Sequence, residues 1–291
     1  MKDALAVSVV IPTIGRIGPL RACLDSIAAC DVRPAEVLLV DQSGASEVAE
    51  LVREYGEIGA RRIESAARGI PVGMNLGLRS AANDIVLVTH DDCTVDRSWV
   101  GAAAAFMADD PEMIVSGRVL PAGDDPLAVP STRVSTEPHD YTGETECGAL
   151  YPNNMALNRS DVLAFGGFDE RFLSAAEDND LSYRWLRAGR RLRYEPSMLV
   201  WHNDWRSHDD LERLYVSYWR WQGMFYAKHL RRGDLTMLRF IARDVKGALR
   251  AVAARVVRGR PRWSDGRRGI LRGLPSGILA GWRVFGGGES R

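Results

Sequence analysis

Residues 88–96 read Val-Thr-His-Asp-Asp-Cys-Thr-Val-Asp. Adjacent carboxylates such as Asp91 and Asp92 repel each other and are costly to desolvate, so an opposite charge is expected to face them. A solvated turn, a helix cap and a divalent cation each answer that need. In the third case hard carboxylate oxygens would hold Mn2+ or Mg2+, which in turn draws a phosphate-bearing ligand. Asp96 is expected to N-cap a helix through Trp99 to Met107. A second acidic cluster, Ala176-Glu-Asp-Asn-Asp180, follows Gly166-Gly-Phe-Asp-Glu170. Acids suit the first turn of a helix, here one through Tyr183, Trp185 and Leu186. His202, after the strand-like Ser197 to Val200, reads either as a structural residue or as an imidazole ligand for Mn2+.

The elements that must position these groups alternate between strand and helix. Val7-Ser-Val-Val-Ile11 is an apolar run closed by Pro12-Thr13, and Glu36-Val-Leu-Leu-Val40 is closed by Asp41-Gln-Ser-Gly44. Between them Leu20, Cys23, Leu24 and Ile27 recur at helical spacing, which gives a βαβ unit and predicts a parallel sheet with right-handed crossovers. The pattern continues with Val48 to Tyr55 as helix, Ala60 to Glu64 as strand, Pro71 to Ala82 as helix and Ile85 to Thr89 as strand. Ligands gather beyond the carboxyl ends of such strands, where Asp41, Asp91 and Asp92 fall.

Four segments, in this order, resemble the family 2 glycosyltransferases of the GT-A fold, over roughly residues 5–204. Val7 to Thr13 looks like the family's opening strand and nucleotide loop, with Pro12 and Thr13 on the donor side. Val40-Asp-Gln-Ser-Gly44 is similar to its second strand end, where Asp41 would contact base or ribose. Arg68 to Gly77 resembles the stretch that precedes the metal motif, with Gly69 and Asn75 toward the donor, although Met74 stands where Arg is frequent. His90-Asp91-Asp92 resembles the DxD-type motif with His90 in place of an acid, which implies Asp92 as the direct metal ligand and Asp91 as a ribose or metal contact. Glu177-Asp178 resembles the ED pair whose Asp is the catalytic base in inverting members. The resemblance further implies an acceptor side at Asn154, Gly167 and Glu177, and places His202 where a histidine meets metal or diphosphate.

It implies an α/β fold of the GT-A type: a Rossmann-like, mainly parallel central sheet flanked by helices, with a helical C-terminal extension. It also implies a UDP-, GDP- or dTDP-linked sugar donor, a glycan or lipid-linked acceptor and a Mn2+ or Mg2+ cofactor. The loop from Gly123 to Thr145 reads as a lid or as a surface excursion. Tyr151 to Met155 reads as acceptor-pocket lining or as a polar turn.

The formal net charge of zero conceals a division. Residues 205–291 carry 19 Lys and Arg against 7 Asp and Glu, whereas residues 1–204 carry 19 against 31. An acidic domain, residues 1–204, and a basic extension, residues 205–291, are expected. Within the extension Leu238, Ile241, Val245, Leu249, Val252 and Val256 form one helical stripe beside Arg239, Arg243, Lys246 and Arg250. Such a helix suits an anionic membrane surface, a solvated face or a homodimer seam. Arg258 to Arg262, Arg267-Arg268, Trp263, Trp282 and Phe285 favour the membrane. Leu214, Tyr215, Tyr218, Trp219, Phe225 and Tyr226 are expected to pack against the catalytic domain.

Several classes are set aside. No apolar run reaches the roughly 18 residues of a membrane helix. The opening residues read as a first strand and not as a signal peptide. The cysteines Cys23, Cys30, Cys93 and Cys147 lack CxxC spacing and read as reduced cytosolic thiols, so the protein is expected in the cytoplasm or on the inner face of the membrane. No recognised nucleic-acid module is present, and the acidic front half argues against nucleic acid. A nucleotidyltransferase lacks its GxxxxGK-type loop here; a non-catalytic sugar-nucleotide-binding scaffold is the other alternative.

Overall fold

A computed structural model describes residues 4–123, 129–142, 147–203, 208–258 and 269–286. Four apolar runs become the parallel strands β1 (Ala4–Thr13), β2 (Arg33–Asp41), β3 (Ala60–Glu64) and β4 (Ile85–Thr89), ordered β3-β2-β1-β4. The crossovers are α1 (Ile17–Ala28), α2 (Ser46–Arg53) and α3 (Ile70–Ser80). Period-two alternation sends Val7, Val9 and Ile11 to one face, against Leu20, Leu24, Ile27 and Trp99, and Val10 to the other, against Met74 and Leu78. Each such buried side chain stabilises by about 1.5–3 kcal/mol. Burial on both faces is why these strands read as continuous apolar runs.

Beyond β4 the sheet continues as β8-β6-β9-β5, with β7 on β9. Here β5 is Cys93–Val95, β6 Ile114–Ala122, β7 His139–Tyr141, β8 Asn154–Asn158 and β9 Leu192–Asn203. Strands β5, β7 and β8 run against the other six. The sheet is therefore mainly parallel, as expected, with antiparallel pairs that the apolar pattern does not announce. Helices α4 (Trp99–Asp109), α5 (Arg159–Ala164) and α6 (Glu177–Arg187) complete this part.

Two details differ from expectation. Asp96 is not the N-cap of α4. Ser98 holds that position, and Asp96 Oδ1 accepts from Ser98 N at 2.9 Å and Ser98 Oγ at 2.7 Å, forming the turn that leads into the helix. The loop after Gly123 contains β7 and a bridge from Arg133 to Val119; residues 124–128 and 143–146 lie outside the described residues. The described cysteines form no disulfide.

The chain divides into two compact units, one of residues 1–173 with 177–204, the other of 174–176 with 205–291. In the second unit are α7 (His208–Arg231), α8 (Thr236–Arg258) and α9 (Ile270–Val284). Gly269, Gly273, Gly277 and Gly281, four residues apart, bring α9 onto the backbone of α7. A Cβ at Gly273 would stand 2.3 Å from Val216 O, and one at Gly277 1.9 Å from Arg220 O. Only small residues allow such an approach. On α8 the covered row is Met237, Phe240 and Ala248, with Tyr226 donating to Asp244. The apolar stripe read from the sequence is instead outward at Leu238 and Leu249, 53% and 59% exposed, while the side chains of Val252 and Val256 lie outside the described residues. So do residues 259–268, and with them Arg260, Arg262, Trp263, Arg267 and Arg268. No helix among the described residues is long and apolar enough to cross a membrane.

Candidate active site

The carboxyl ends of β1 and β4 lie side by side, because the two strands pair in parallel from Val7↔Ile85 to Val10↔Val88. Their loops bring Thr13 and Asp91 together, and Thr13 Oγ1 donates to Asp91 Oδ2 at 2.6 Å. Gly15 turns the loop back with φ +88°, where a Cβ would strike Ser43 at 2.8 Å. The next residue, Arg16, then reaches both acids. Its Nη1 donates to Asp92 Oδ2 at 2.9 Å, and Nε and Nη2 donate to the two oxygens of Asp91. From the other half of the sheet, β9 places His202 opposite Cys93 of the edge strand β5, and His202 Nε2 stands 3.5 Å from Asp92 Oδ1.

Asp91 and Asp92 are 1% and 3% exposed, and their environments drive them apart. Burial raises the carboxyl of Asp91 in spite of Arg16. Burial also opposes ionisation of Asp92, but the hydrogen bond and charge of His202, with Arg16 and His90, outweigh it and hold that carboxyl well below the ordinary range. Asp92 is thus the firmly ionised member.

The arrangement fits a divalent cation. His202 Nδ1 lies 2.8 Å from Pro130 O, and a carbonyl only accepts, so Nδ1 carries the ring proton. In neutral imidazole Nε2 then turns a lone pair toward the acceptor oxygen of Asp92, a contact that needs a proton or a metal ion between them. The donor atoms of Asp92, Cys93 and His202 all lie within 4.8 Å of one another. Cys93 Sγ donates to Asp92 Oδ1 at 3.8 Å, and its soft sulfur suits a hard cation less well than the carboxylate oxygen and the imidazole nitrogen do. Carboxylate with imidazole suits Mn2+ well and admits Mg2+.

Other residues expected at the donor and acceptor sides make well-defined contacts within the chain. Asn75 accepts from Phe168 N at 3.0 Å and donates to Phe168 O and Glu170 Oε1 at 2.8 and 2.9 Å, tying α3 to the Gly-Gly-Phe-Asp-Glu turn. Gly167 is packed on that amide; a Cβ there would meet Asn75 Oδ1 at 2.7 Å. Asn154 is wholly buried, accepts from Trp99 Nε1 at 2.9 Å and donates to Arg118 O and Met198 O. The amides of Asn75 and Asn154 thus already have partners within the chain, and Gly167 is packed against one of them. Pro12 is buried against Gly73, and Gly69 is bracketed by Gln42, which bonds both its N–H and its carbonyl. Asp41, at the end of β2, accepts from Ser43 on Oδ1 and from Arg62 on Oδ2 at 2.6 and 2.8 Å.

Glu177 and Asp178 occupy the first turn of α6. Arg184 secures this turn, donating to Asp180 Oδ2 and Gly167 O, both at 2.7 Å. Burial lifts the carboxyl of Asp178 to about 6 and, with the neighbouring charge of Asp178, lifts Glu177 well above its ordinary value. Oε2 of the buried Glu177 has no hydrogen-bond partner among the described residues. Tyr151 is close enough to Asp178 to feel its charge, so one member of the Tyr151-to-Met155 segment does approach the acidic pair. Arg133 stands over the rings of Tyr151, Tyr141 and Tyr194, at 5.8, 5.6 and 3.7 Å from their centroids.

Sequence reasoning passed over Arg16 and Arg133. The signal for Arg16 was available, since a basic residue three positions after Thr13 lies in the loop at a strand's carboxyl end. Arg133 had none, for its partners come from β7, β9 and the Tyr151 segment.

A mainly parallel sheet extended by antiparallel strands, with an acid pair beyond β4 and a histidine near the end of β9, defines a GT-A-type fold. Among solved structures the chain is similar to the mannosyltransferase PcManGT from Pyrobaculum calidifontis in complex with GDP-Man and Mn2+. The TM-score is 0.67 at 17% identity, covering 94% of this chain and 87% of that one. It also resembles GalNAc-T7 with UDP, GalNAc and Mn2+, at a TM-score of 0.54 and 18% identity over 77% of this chain and 50% of the other. Residues 8–162 match Glycosyl transferase family 2, and the chain belongs to that family. The pre-mycofactocin glycosyltransferase of Mycobacterium tuberculosis (strain ATCC 25618 / H37Rv) is 28% identical over 211 residues, 68% of this chain. The chain spans 42% of the length of that relative.

Proposed function

We propose that this protein is an inverting glycosyltransferase that moves a sugar from a nucleoside-diphosphate donor to an acceptor hydroxyl. The observation that carries the reading is the convergence of Thr13 and Arg16, from the end of β1 and its loop, and of His202, from β9, on Asp91 and Asp92. Nucleotide-bound neighbours with Mn2+ support a donor of this class and a divalent cofactor.

Asp92 and His202 would hold the ion. When bound, Mn2+ or Mg2+ supplies Lewis-acid neutralisation of the charge that gathers on a departing diphosphate. Thr13, Asp91 and Asp41 form the nucleotide side; Asp41 acts through the Ser43 and Arg62 that it fixes. Asp178 receives the proton of the attacking hydroxyl, a task its raised carboxyl suits. The anomeric carbon loses its bond to the diphosphate oxygen, which leaves with the electron pair, and gains a bond to the acceptor oxygen on the opposite face. One displacement inverts the centre. Glu177, with its unsatisfied oxygen, and Tyr151 flank the acceptor. A glycan or lipid-linked acceptor in cell-surface glycan or glycolipid synthesis fits the family by analogy.

The test is a thermal-shift panel of UDP-, GDP- and dTDP-sugars with Mn2+, Mg2+ or EDTA, followed by product analysis on whichever donor binds. A metal-dependent shift with one nucleotide, and transfer of its sugar with inversion, supports the proposal. Release of pyrophosphate from a nucleoside triphosphate would indicate a nucleotidyltransferase, and binding without turnover a scaffold.

The second unit fits an anionic membrane surface on the cytoplasmic side. Leu238, Val245 and Leu249 are exposed on α8 beside exposed Arg239, Arg243, Lys246 and Arg250, while Leu271, Leu279 and Trp282 are exposed on α9. Apolar side chains rimmed by cations match acyl chains beneath anionic headgroups. Phosphatidylglycerol vesicles should sediment the protein and phosphatidylcholine vesicles should not, and L238E/L249E should abolish binding. Failure of the wild type to bind would overturn this, as would a homodimer that the same variant dissolves.

A further inference from the structure

The two acids beyond β4 already face a cation of the chain's own, Arg16. We propose that Arg16 is a displaceable counter-ion that makes divalent-cation binding and diphosphate binding depend on each other. This rests on the glycosyltransferase reading above. Arg16 reaches the acids from the loop after β1, and its side chain is 23% exposed where those of Asp91 and Asp92 are 2% and 4%. It is thus the one partner of the three with a route outward.

The guanidinium is engaged with Asp92 Oδ2, on the same carboxylate whose Oδ1 faces His202. A divalent cation arriving alone on Asp92 must take up position beside a fixed positive charge, or drive it off the buried pair at the cost of the charge-assisted hydrogen bonds it makes there. A diphosphate changes that balance. Its oxygens offer the guanidinium a bidentate anionic partner at the mouth of the same site, so Arg16 can leave the carboxylates without losing charge-assisted hydrogen bonds. The vacated carboxylate then accepts the cation, and each ligand raises the affinity for the other by the same factor. The chain would in this way hold its acids neutralised when empty and bind the cation firmly only with the donor.

The experiment titrates the full-length protein with Mn2+ and follows the signal of free Mn2+ by electron paramagnetic resonance, without nucleotide and with saturating UDP or GDP. Protein-free controls account for Mn2+ held by the nucleotide. In the wild type a nucleotide that binds should tighten Mn2+ about tenfold, within the range of about 5–150-fold usual for coupled sites. Arg16→Gln should bind Mn2+ alone about tenfold more tightly than the wild type, and nucleotide should improve it by clearly less than in the wild type, leaving only the direct attraction between ion and diphosphate. Arg16→Lys, which keeps the charge without the fork, should fall between. A merely structural arginine predicts weaker binding of both ligands on removal, so a gain in metal affinity separates the two roles. Arg16→Gln that binds Mn2+ alone no better than the wild type, with the coupling intact, would overturn the role of Arg16 and leave the enzyme reading standing. A wild type that binds neither Mn2+ nor nucleotide would overturn both.

Discussion

Asp178 follows directly on Glu177 at the first turn of α6, and burial lifts the carboxyl groups of both above their ordinary values. Two neighbouring acids that disfavour each other's ionisation titrate as a pair. With Asp178 raised to about 6, the proposed base is protonated and idle below that pH. The transfer rate should therefore rise about tenfold per pH unit through the acid range and level off above about 6. A rate that is flat between pH 5 and 8 would remove Asp178 from the role.

Asp178→Asn should keep nucleotide affinity and lose about 10²–10⁴-fold in turnover. Its stability should move the other way. A carboxyl raised in the folded state favours folding fully below its unfolded value of about 4, and that contribution is lost as pH rises through about 6. Melting temperatures of variant and wild type should be similar at pH 4, with the variant equal or higher at pH 7.5.

Asp92→Ala should abolish the part of nucleotide affinity that depends on metal. Calorimetry with Mn2+ and with EDTA should then give the same constant. A metal-dependent affinity equal to that of the wild type would show that the ion is held elsewhere.

Asn154→Ala would strand the indole N–H of Trp99 and the carbonyls of Arg118 and Met198 in the core. A loss of about 3 kcal/mol or more is expected from these unsatisfied groups, measured by urea unfolding. A variant of normal stability with impaired acceptor binding would favour the acceptor role first read for this residue.

Gly277→Ala would gain helix propensity, about 1 kcal/mol, but its methyl would overlap the backbone at Arg220. Overpacking at such a seam costs more than that gain, so the variant should melt at lower temperature than the wild type.

The sequence made the first half of the fold legible because a sheet covered on both faces writes itself as apolar runs separated by a helical period, as in Val7 to Ile11, Leu20 to Ile27 and Glu36 to Val40. The antiparallel additions left no such trace. Strand β5 is three residues long, and β9 contains Arg193, Glu195 and Pro196, so only Ser197 to Val200 looked like strand. The acids Asp91 and Asp92 were found because clustered charge demands a partner. The identity of that partner was not legible, since Arg16 lies more than 70 residues away and only the parallel pairing of β1 with β4 brings it near. Asn75 and Asn154 show the converse. Their place in a familiar order of residues suggested ligand contact; the partners their amides have within the chain come from distant segments and could not be read from the sequence.

The register that sets Cys93 against His202 also fixes an order of events in time. Thr13 meets Asp91 across 78 residues, and Asn203 meets the backbone of Asp92 across 111. Loops of that length close slowly, so contacts of this kind form late in folding. On the ribosome the acid pair emerges long before β9 exists, with Arg16 and His90 already synthesised and His202 still to come. The first half of the chain must therefore wait, its carboxylates neutralised from within, until residues 192–203 arrive to complete the site.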